Sequence, residues 1–520
     1  MRFILSTVLL VAAIPSLAQE SSSPLWGQLE AGPNAVGFRV TETYDRSRPY
    51  RPLRNLSGRL REGERGRPIQ ISIWYPAEKS ASQPMTWADY FSLVATEPEF
   101  GPVPDDRKRA RERVFQIFPP FQNGPDGAFE RLRRLRTGAF RDAVPRKGKF
   151  PLIVWSLGSA VLFQTSAEYL ASHGYVVISA PRIAFAAGLP DTNQDRLDYD
   201  SKVRDMEFLI SHASALPFVD IQNIGLTGFS AGGRWALLEA MRNSNVKAMV
   251  SLDSVFLWDE PNFRTMPFHD PDSVRIPVLH MTRREWVPRE NPASWDALRY
   301  SDRMSLIFEK PLDHFDFVSA GYASTVTGYR PDQKVDISDA FHAWNRYLLN
   351  FFDAHIKGVS QARAFLERRP EQNGVPQEVV TTRNIKALPP PPTDAQLAAD
   401  IDEAGIDEAI SAYRRLWKET GQPPTRENTL NGVAYTRLFT GRADEAISLL
   451  ELNAEAYPSS SNVYDSLGDA YLQAGNIKRA RAMAERALEM LKTEGGLTPE
   501  RREAIRASAQ AKIDRPDPGR

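Results

Sequence analysis

The sequence predicts an α/β domain with a mostly parallel sheet, followed by a small all-α domain built from repeats. Short apolar strands alternate with helical segments between residues 150 and 356. A run of four prolines at 389–392 then interrupts the chain, and beyond it the pattern becomes wholly helical. Because strands that alternate with helices form parallel sheets covered on both faces, the first domain belongs to the α/β class.

The elements of the α/β domain can be predicted in chain order. Residues 70–76 alternate in polarity and end at a proline, as an edge strand does. Residues 85–149 indicate an Arg- and Phe-rich helical insertion, which is a possible lid. Further strands are predicted at 150–155, 175–180, 221–227, 246–252, 276–280 and 304–308. Helices are predicted at 164–172, 200–216, 232–241 and 340–356, and we expect the last of these to close the domain.

The first residues have the pattern of a secretory signal peptide. One arginine precedes an apolar run from Ile4 to Ile14, and small residues stand at Ser16 and Ala18. This pattern predicts a signal peptide over 1–18, cleaved after Ala18, and a secreted or periplasmic bacterial protein; a retained anchor is the alternative. The run is short for a bilayer span, and no later segment is apolar enough to form a transmembrane span.

The domain boundaries follow from the same patterns. Residues 19–35 are interpreted as an unstructured leader, and the α/β domain covers 36–387. Residues 388–394 form a stiff linker, because consecutive prolines continue neither a helix nor a sheet. The all-α domain covers 395–520.

The composition excludes several kinds of chemistry. The chain contains no cysteine, which rules out disulfides, thiolate catalysis and zinc–thiolate sites. Lysine and arginine together number 65, as do aspartate and glutamate, so no overall field favours nucleic acid. Residues 105–148 carry a local basic excess, interpreted either as a solvated helical face or as a basic lip that meets an anionic lipid or substrate.

A candidate nucleophile lies in the segment Gly228-Phe229-Ser230-Ala231-Gly232. An apolar strand precedes the segment and an apolar helix follows it, which is the context of a nucleophile elbow. Gly228 and Gly232 lack the Cβ atoms that would collide in so tight a turn. We therefore predict Ser230 as the nucleophile; a glycine-rich turn kept for packing alone is the alternative.

The general base must come from seven histidines. His314 follows the last predicted strand, where the chain order Ser, Asp, His of such sites places the base. A loop histidine that caps the next helix is the alternative. The other histidines are predicted to be structural or have no strong context: His173, His212, His269, His280, His342 and His355.

The orienting acid has two candidate positions. Asp253 ends an apolar strand, so it would project at the carboxyl edge of the sheet beside Ser230. Glu285, after the following strand, is the less favoured alternative. The oxyanion donors should be backbone amides, because these are held in place before charge develops. We predict the amides of Ala231 and Ser159.

The all-α domain contains a 34-residue repeat. Gly441-Arg442-Ala443-Asp444-Glu445-Ala446 recurs as Gly475-Asn476-Ile477-Lys478-Arg479-Ala480. This period is typical of tetratricopeptide repeats, and the second copy resembles that family closely, whereas the first has Arg437 at a tyrosine position. A partial unit at 408–413 would extend the stack. The repeats imply a possible protein partner but no chemistry.

The α/β domain resembles one branch of the α/β-hydrolases, that of platelet-activating-factor acetylhydrolases and dienelactone hydrolases. The resemblance covers roughly residues 36–360. The matching segments are 68–76, 150–160 with 171–175, 228–233, 252–254 and 314–317. It implies an α/β-hydrolase fold, an acid at Asp253 and an oxyanion amide at Ser159. Members usually have Ser-His-Gly where this chain has Ser156-Leu157-Gly158, which bears on substrate fit.

The sequence therefore predicts an exported serine hydrolase that cleaves carboxylic esters through Ser230, His314 and Asp253. The expected substrate is a small-molecule or lipid ester, and neither a metal nor an organic cofactor is implied. Two alternatives remain open. In one, a catalytically silent hydrolase fold serves as a scaffold whose repeats bind a partner. In the other, the same fold acts on peptides.

Overall fold

The computed structural model describes residues 23–97, 99–100, 106–125, 127–192, 195–330, 335–390 and 392–516. The predicted signal peptide, 1–18, lies outside the described residues. The chain divides into two compact units between Leu388 and Pro389, and the predicted linker, 388–394, spans that division. The predicted fold class, an α/β domain with a mostly parallel sheet followed by a small all-α domain, is confirmed.

The first unit is organised around one sheet of ten strands. The strands are β1 (Ala35–Pro49), β2 (Gly66–Ala77), β3 (Ala139–Arg141), β4 (Phe150–Trp155), β5 (Val176–Ser179), β6 (Val219–Phe229), β7 (Val246–Leu252), β8 (Val278–Arg283), β9 (Arg303–Phe308) and β10 (Val380–Ile385). Their order is β10-β9-β8-β7-β6-β4-β5-β2-β1-β3. Six neighbouring pairs are parallel, and β2 with β1, β2 with β5 and β9 with β10 are antiparallel.

Eleven helices of the described residues accompany this sheet. They are α1 (Trp87–Leu93), α2 (Asp106–Ile117), α3 (Ala128–Arg133), α4 (Ala160–Ser172), α5 (Arg196–Ser214), α6 (Gly232–Arg242), α7 (Pro261–Arg264), α8 (Pro292–Asp296), α9 (Ser319–Val326), α10 (Ser338–His355) and α11 (Ser360–Glu367). Helices α1 to α3 lie within the predicted insertion.

Alternate residues of the central strands enter two separate cores, which is why these strands are apolar on both faces. On β4, Ile153 packs in a core shared with α4, α9, α10 and α11. Its neighbours Leu152 and Val154 pack in a second core shared with α5 and α6. Central strands buried on both faces are the expected result of a parallel sheet between two helical layers.

The direction of the strands decides which loops share one edge of the sheet. The parallel strands β4 to β9 all end at the same edge, and the loops after them meet there. Strand β2 runs antiparallel to β5, pairing Ser72 with Ser179 and Trp74 with Val177. The start of β2 therefore lies at the carboxyl end of β5, and the loop between β1 and β2 shares that edge.

Two expectations about the first unit are wrong. The described part of the predicted leader is packed rather than unstructured: Leu25, Trp26 and Leu29 are buried, and the Trp26 indole donates to Glu168 at 3.0 Å. Apolar side chains at three nearby positions outweigh the polar surroundings that suggested a leader. Helix α10 does not close the domain either, since α11 and the antiparallel edge strand β10 follow it.

The second unit consists of helices alone in its described residues. They are α12 (Asp394–Ala404), α13 (Ile406–Thr420), α14 (Glu427–Phe439), α15 (Ala443–Ala456), α16 (Ser461–Gln473), α17 (Ile477–Leu491) and α18 (Pro499–Ile513). Helices α14 and α15 start 34 residues before α16 and α17. Gly441 and Gly475 occupy the same left-handed conformation, φ 79°, between the paired helices.

Arg437, at a tyrosine position of the repeat, has a packing role. It is buried and donates to the carbonyl of Ala398, and it pairs with Asp402 at 2.8 Å. Both partners belong to α12, so this arginine joins the first complete repeat, α14 and α15, to α12. No helix of the described residues is long and apolar enough to cross a membrane.

The buried carboxyl of Glu239 on α6 makes the stability of the first unit depend on pH. Asn243 donates to its Oε1 at 3.1 Å, whereas Oε2 has no partner among the described residues. Burial raises the pKa of Glu239 from 4.5 to about 7. The folded state then holds this proton more tightly than the unfolded state. The free energy of unfolding should therefore fall as the pH rises from about 4.5 to about 7.

We expect Glu239→Gln to raise the free energy of unfolding at pH 8 by about 1–3 kcal/mol, because the neutral amide removes the cost of burying a charge. At pH 4.5 the gain should largely vanish. Urea denaturation followed by tryptophan fluorescence reports the first unit, since nine of the ten tryptophans precede residue 388. An equal gain at both pH values would contradict the prediction.

Candidate active site

Ser230 sits in a strained turn between β6 and α6. Its φ is 55°, in the left-handed region that residues other than glycine rarely adopt. The turn is held by backbone hydrogen bonds from Ser230 N–H to the Leu252 carbonyl at 3.0 Å and from Gly233 N–H to the Ser230 carbonyl at 3.2 Å. Strain that the surrounding structure enforces in this way is typical of functional sites.

The glycines around Ser230 are required by close backbone approaches. A Cβ on Gly228 would lie 2.4 Å from the carbonyl carbon and oxygen of Gly232. A Cβ on Gly232 would lie 2.9 Å from the carbonyl oxygen of Ser156, in the loop after β4. These distances let the start of α6 pack directly against the ends of β6 and β4. The two glycines that flank Ser230 in the sequence are therefore required because no Cβ atom fits at either position.

Asp253 and His314 meet at the same edge of the sheet. Asp253 follows β7, is fully buried and has a φ of 40°. His314 opens a short 3₁₀ turn, His314–Phe317, in the loop after β9. The Nδ1 atom of His314 lies 2.7 Å from Oδ2 of Asp253. Although 61 residues apart, the two side chains are thus directly paired at the end of strands that flank β8.

Two aromatic rings hold the imidazole of His314 between them. The Phe229 ring, next to Ser230 in the chain, stacks on it with centroids 4.4 Å apart. Trp286 covers it at 4.8 Å. Because Phe229 is the residue before Ser230, this stacking brings the imidazole alongside the Ser230 turn. With Nδ1 engaged by Asp253, Nε2 is the ring atom left to face a partner.

Arg283, at the end of β8, is a feature that sequence reasoning missed. It is buried, and its Nε donates to Oδ2 of Asp253 at 2.9 Å, the same oxygen that faces His314. Its backbone N–H reaches Oδ1 of Asp253 at 3.3 Å, and its guanidinium donates to the Leu312 carbonyl at 3.1 Å. The guanidinium also lies over Trp286 at 4.3 Å. One side chain therefore touches the acid, the His314 loop and the ring covering His314.

The two predicted oxyanion residues both flank helix starts. Ala231 precedes α6, and Ser159 precedes α4. Among the described residues, neither amide donates to another protein acceptor, so both remain available. Leu157, two residues before Ser159, has a φ of 38°, which turns the chain sharply after β4. A residue with a left-handed backbone conformation thus follows each of three neighbouring strands, β4, β6 and β7.

The insertion contacts this edge of the sheet through a buried ion pair. Glu97 is buried, pairs with Arg113 of α2 at 2.9 Å and lies beside the Ser159 side chain. Burial raises the pKa of Glu97 above its ordinary value. Phe118, after α2, packs on Phe315 with centroids 5.0 Å apart. The insertion therefore touches both the first loop of the site and the loop of His314.

The alternative acid Glu285 and the buried His280 have partners other than the proposed triad residues. Glu285 is largely exposed and pairs with Arg283 rather than with a histidine. His280 is buried on β8, where its Nδ1 lies 2.6 Å from Ser251 Oγ and its Nε2 lies 2.9 Å from Glu290. Phe256 packs against His280 at 5.0 Å, so it belongs to the core. Within the described residues, no group of three or more His, Asp or Glu side chains forms a metal site.

Comparisons with known proteins bear on both units. Residues 425–493 match the family model for the tetratricopeptide repeat, which confirms the predicted repeats there. Among solved structures, the chain is similar to a ferulic acid esterase from Streptomyces cinnamoneus at 19% identity, covering 69% of this chain and 99% of that chain with a TM-score of 0.47. No curated protein sequence matches the chain. The fold assignment of the first unit therefore rests on its own sheet order.

We expect Gly228→Ala to lower the free energy of unfolding by more than about 2 kcal/mol, because its Cβ would overlap the backbone of Gly232. Gly432→Ala is a matched control inside α14, where a Cβ meets nothing within 4 Å. The control should be more stable by about 0.5–1 kcal/mol. Denaturation followed by circular dichroism measures both, and a Gly228→Ala variant as stable as the parent would refute the steric account.

Proposed function

We propose that the chain is an exported serine hydrolase that cleaves carboxylic esters. One observation carries the proposal: Ser230, Asp253 and His314 lie at the same edge of the sheet. Ser230 has a left-handed backbone conformation, and the Nδ1 atom of His314 faces the buried carboxylate of Asp253. Such a set matches the roles of nucleophile, orienting acid and general base. The free amides of Ser159 and Ala231 supply the donors that an oxyanion needs.

The proposed reaction has two halves. Ser230 Oγ attacks the ester carbonyl while His314 Nε2 takes its proton, and the amides of Ser159 and Ala231 bind the resulting oxyanion. His314 then gives the proton to the leaving alcohol, which leaves an acyl group on Ser230. Water attacks this acyl-enzyme with His314 again accepting a proton, and the acid product departs as Ser230 is restored. Asp253 fixes the tautomer and stabilises the imidazolium throughout.

The surroundings of Ser230 favour an apolar acyl group. The ring of Phe229 lies between those of Phe163 and Phe315, with a centroid distance of 6.2 Å to each. Phe118 of the insertion packs on Phe315 and extends this row. This supports small-molecule or lipid esters of the kind that the acetylhydrolase and dienelactone-hydrolase resemblance implies. The contacts of Glu97 and Phe118 support a lid role for the insertion. Export to the periplasm or medium and a protein partner for the repeats complete the proposal.

The direct test is labelling with a fluorophosphonate probe and hydrolysis of p-nitrophenyl esters. The parent should react at Ser230, and Ser230→Ala should lose both labelling and turnover without a lower melting temperature, because the substitution removes only the hydroxyl and leaves the backbone of the turn unchanged. Failure of the parent to label or turn over would favour the silent-scaffold alternative. A peptide substrate assayed alongside tests the other alternative, in which the same fold acts on peptides.

Asp253→Asn and Glu285→Gln form a matched pair within the same test. The first should lower kcat by about 10⁴-fold, because an amide facing His314 favours the wrong tautomer. The second should change kcat little, since the Glu285 side chain is largely exposed and pairs with Arg283 rather than with His314. Equal effects of the two substitutions would remove Asp253 from the proposed role.

We expect Arg283→Gln to lower kcat/KM by about 10–100-fold through misplacement of the acid and the base. The neighbouring Arg284→Gln is the control, as that side chain is exposed and pairs with Glu309. An Arg283→Gln variant that keeps the kcat/KM of the parent would contradict the positioning role of Arg283.

A further inference from the structure

The loop between β1 and β2 is an ordered hairpin at the sheet edge that carries Ser230. The N–H of Arg61 donates to the Leu53 carbonyl at 2.9 Å, and the N–H of Asn55 donates to the Arg59 carbonyl at 3.0 Å. The Asn55 side chain accepts from the Arg59 N–H at 3.0 Å and closes the tip. Because its backbone is paired to the end, residues 50–65 hold a fixed shape; we name them the arginine–leucine hairpin.

Three leucines of this hairpin are exposed. Leu53 is 48% exposed, Leu60 is 62% exposed, and Leu56 at the tip is fully exposed. The described residues contain nine large hydrophobic side chains with such exposure, and these three fall within eight positions. A cluster of apolar side chains held out by an ordered backbone marks an interaction surface.

Arginines surround these leucines. Residues 51–65 contain five arginines and two glutamates, namely Arg51, Arg54, Arg59, Arg61, Arg65, Glu62 and Glu64. Glu64 forms an ion pair with Arg46 at 2.8 Å, and Arg51 pairs with Glu99 of the insertion at 3.0 Å. Arg54 donates to the Gly58 carbonyl at 2.7 Å, which keeps its cation at the tip. The tip therefore presents a positive charge beside its leucines.

The base of the hairpin is braced against the loop that follows β5. The N–H of Ala187 in that loop donates to the Tyr50 carbonyl at 2.9 Å. Arg67, at the start of β2, is buried, donates to the Ala184 carbonyl at 2.6 Å and pairs with Asp205 of α5 at 2.7 Å. The hairpin is thus a rigid projection, fixed to the same rim as the loops that carry Ser230, Asp253 and His314.

We infer that the arginine–leucine hairpin docks the protein on an anionic lipid surface. Leucines at the tip can enter the boundary between head groups and acyl chains, while the arginines beside them contact lipid phosphates. The charge complementarity is direct, since Arg54, Arg59 and Arg61 are exposed and Glu62, also exposed, is the one acidic residue in the sequence between positions 51 and 63. Docking does not require ester hydrolysis, so it stands apart from the proposed reaction.

The test is co-sedimentation with vesicles of phosphatidylcholine alone and of phosphatidylcholine mixed with phosphatidylglycerol. The protein is the predicted mature form starting at Gln19, so that the apolar run 4–14 cannot bind lipid, and it carries Ser230→Ala to prevent turnover. We expect binding to the mixed vesicles and weak binding to the neutral ones. Rising salt should weaken the binding.

Two triple variants separate the leucines from the arginines. Leu53→Ser with Leu56→Ser and Leu60→Ser should weaken binding to mixed vesicles about tenfold or more. Arg54→Gln with Arg59→Gln and Arg61→Gln should weaken it about a hundredfold, at roughly fivefold for each charge. Phe439→Ser, an exposed apolar residue of the repeat unit, is the control and should bind as the parent does.

Each result bears on the proposal. Melting curves, and p-nitrophenyl acetate turnover of the same variants with Ser230 present, show whether the hairpin variants remain folded. No sedimentation of the parent with mixed vesicles, or unchanged binding of folded leucine and arginine variants, overturns lipid docking. If the parent self-associates in ultracentrifugation and the leucine variant does not, without any vesicle binding, a second copy of the chain is the partner instead. If the parent protein binds mixed vesicles but its form with Ser230 present shows no ester turnover, the result counts against the proposed reaction and not against lipid docking.

Discussion

The geometry of the candidate site depends on one buried carboxylate. Asp253 is fully buried, and an unpaired charge in such a place would cost several kcal/mol. Its oxygens face His314 Nδ1 and both the backbone and the guanidinium of Arg283. Because Arg283 also binds the Leu312 carbonyl, the carboxylate draws together the loops after β7, β8 and β9. The His314 loop is thereby fixed even though it contains little regular structure. A second arginine, Arg330, pairs with Asp316 at 2.5 Å and braces the other end of that loop.

Backbone strain is concentrated where these loops leave the sheet. Four residues other than glycine have positive φ in the described chain, and Leu157, Ser230 and Asp253 are three of them. Each such residue costs about 1–3 kcal/mol, so the packed sheet must hold them in place. The hydrogen bonds from Ser156 N–H to the Thr227 carbonyl, and from Asp253 N–H to the Met281 carbonyl, tie each turn to the adjacent strand. The parallel strands therefore do more than bring the residues near one another: they set the direction in which each side chain leaves the edge.

Much of this arrangement could be predicted from the sequence, because strands and the serine turn leave local signals. Strand β7 was predicted at its observed bounds, and β6 was predicted within two residues at each end. Contacts between distant segments leave no such signal. Arg283 belongs to a basic run that looks solvated, and only the fold shows that it turns inward to Asp253. Trp26 sits in a polar stretch, yet it is buried in the first core, where Glu168, 142 residues later, accepts its indole N–H. The edge strand β10 follows two helices and pairs antiparallel, which alternation of strands and helices does not predict.

Strand polarity also explains why the charged and apolar features of the first unit gather on one side. The antiparallel pairing of β2 with β5 turns the β1–β2 hairpin toward the carboxyl edge, and the pair of Arg51 with Glu99 links that hairpin to the insertion. The insertion in turn contacts Ser159 through Glu97 and Phe315 through Phe118. A surface approached through the leucines of the hairpin is therefore the surface onto which Ser230 opens. In the proposed hydrolase of apolar esters, this placement would shorten the path of a lipid from its own phase to Ser230, because the proposed docking surface and the proposed chemistry share one edge of the sheet.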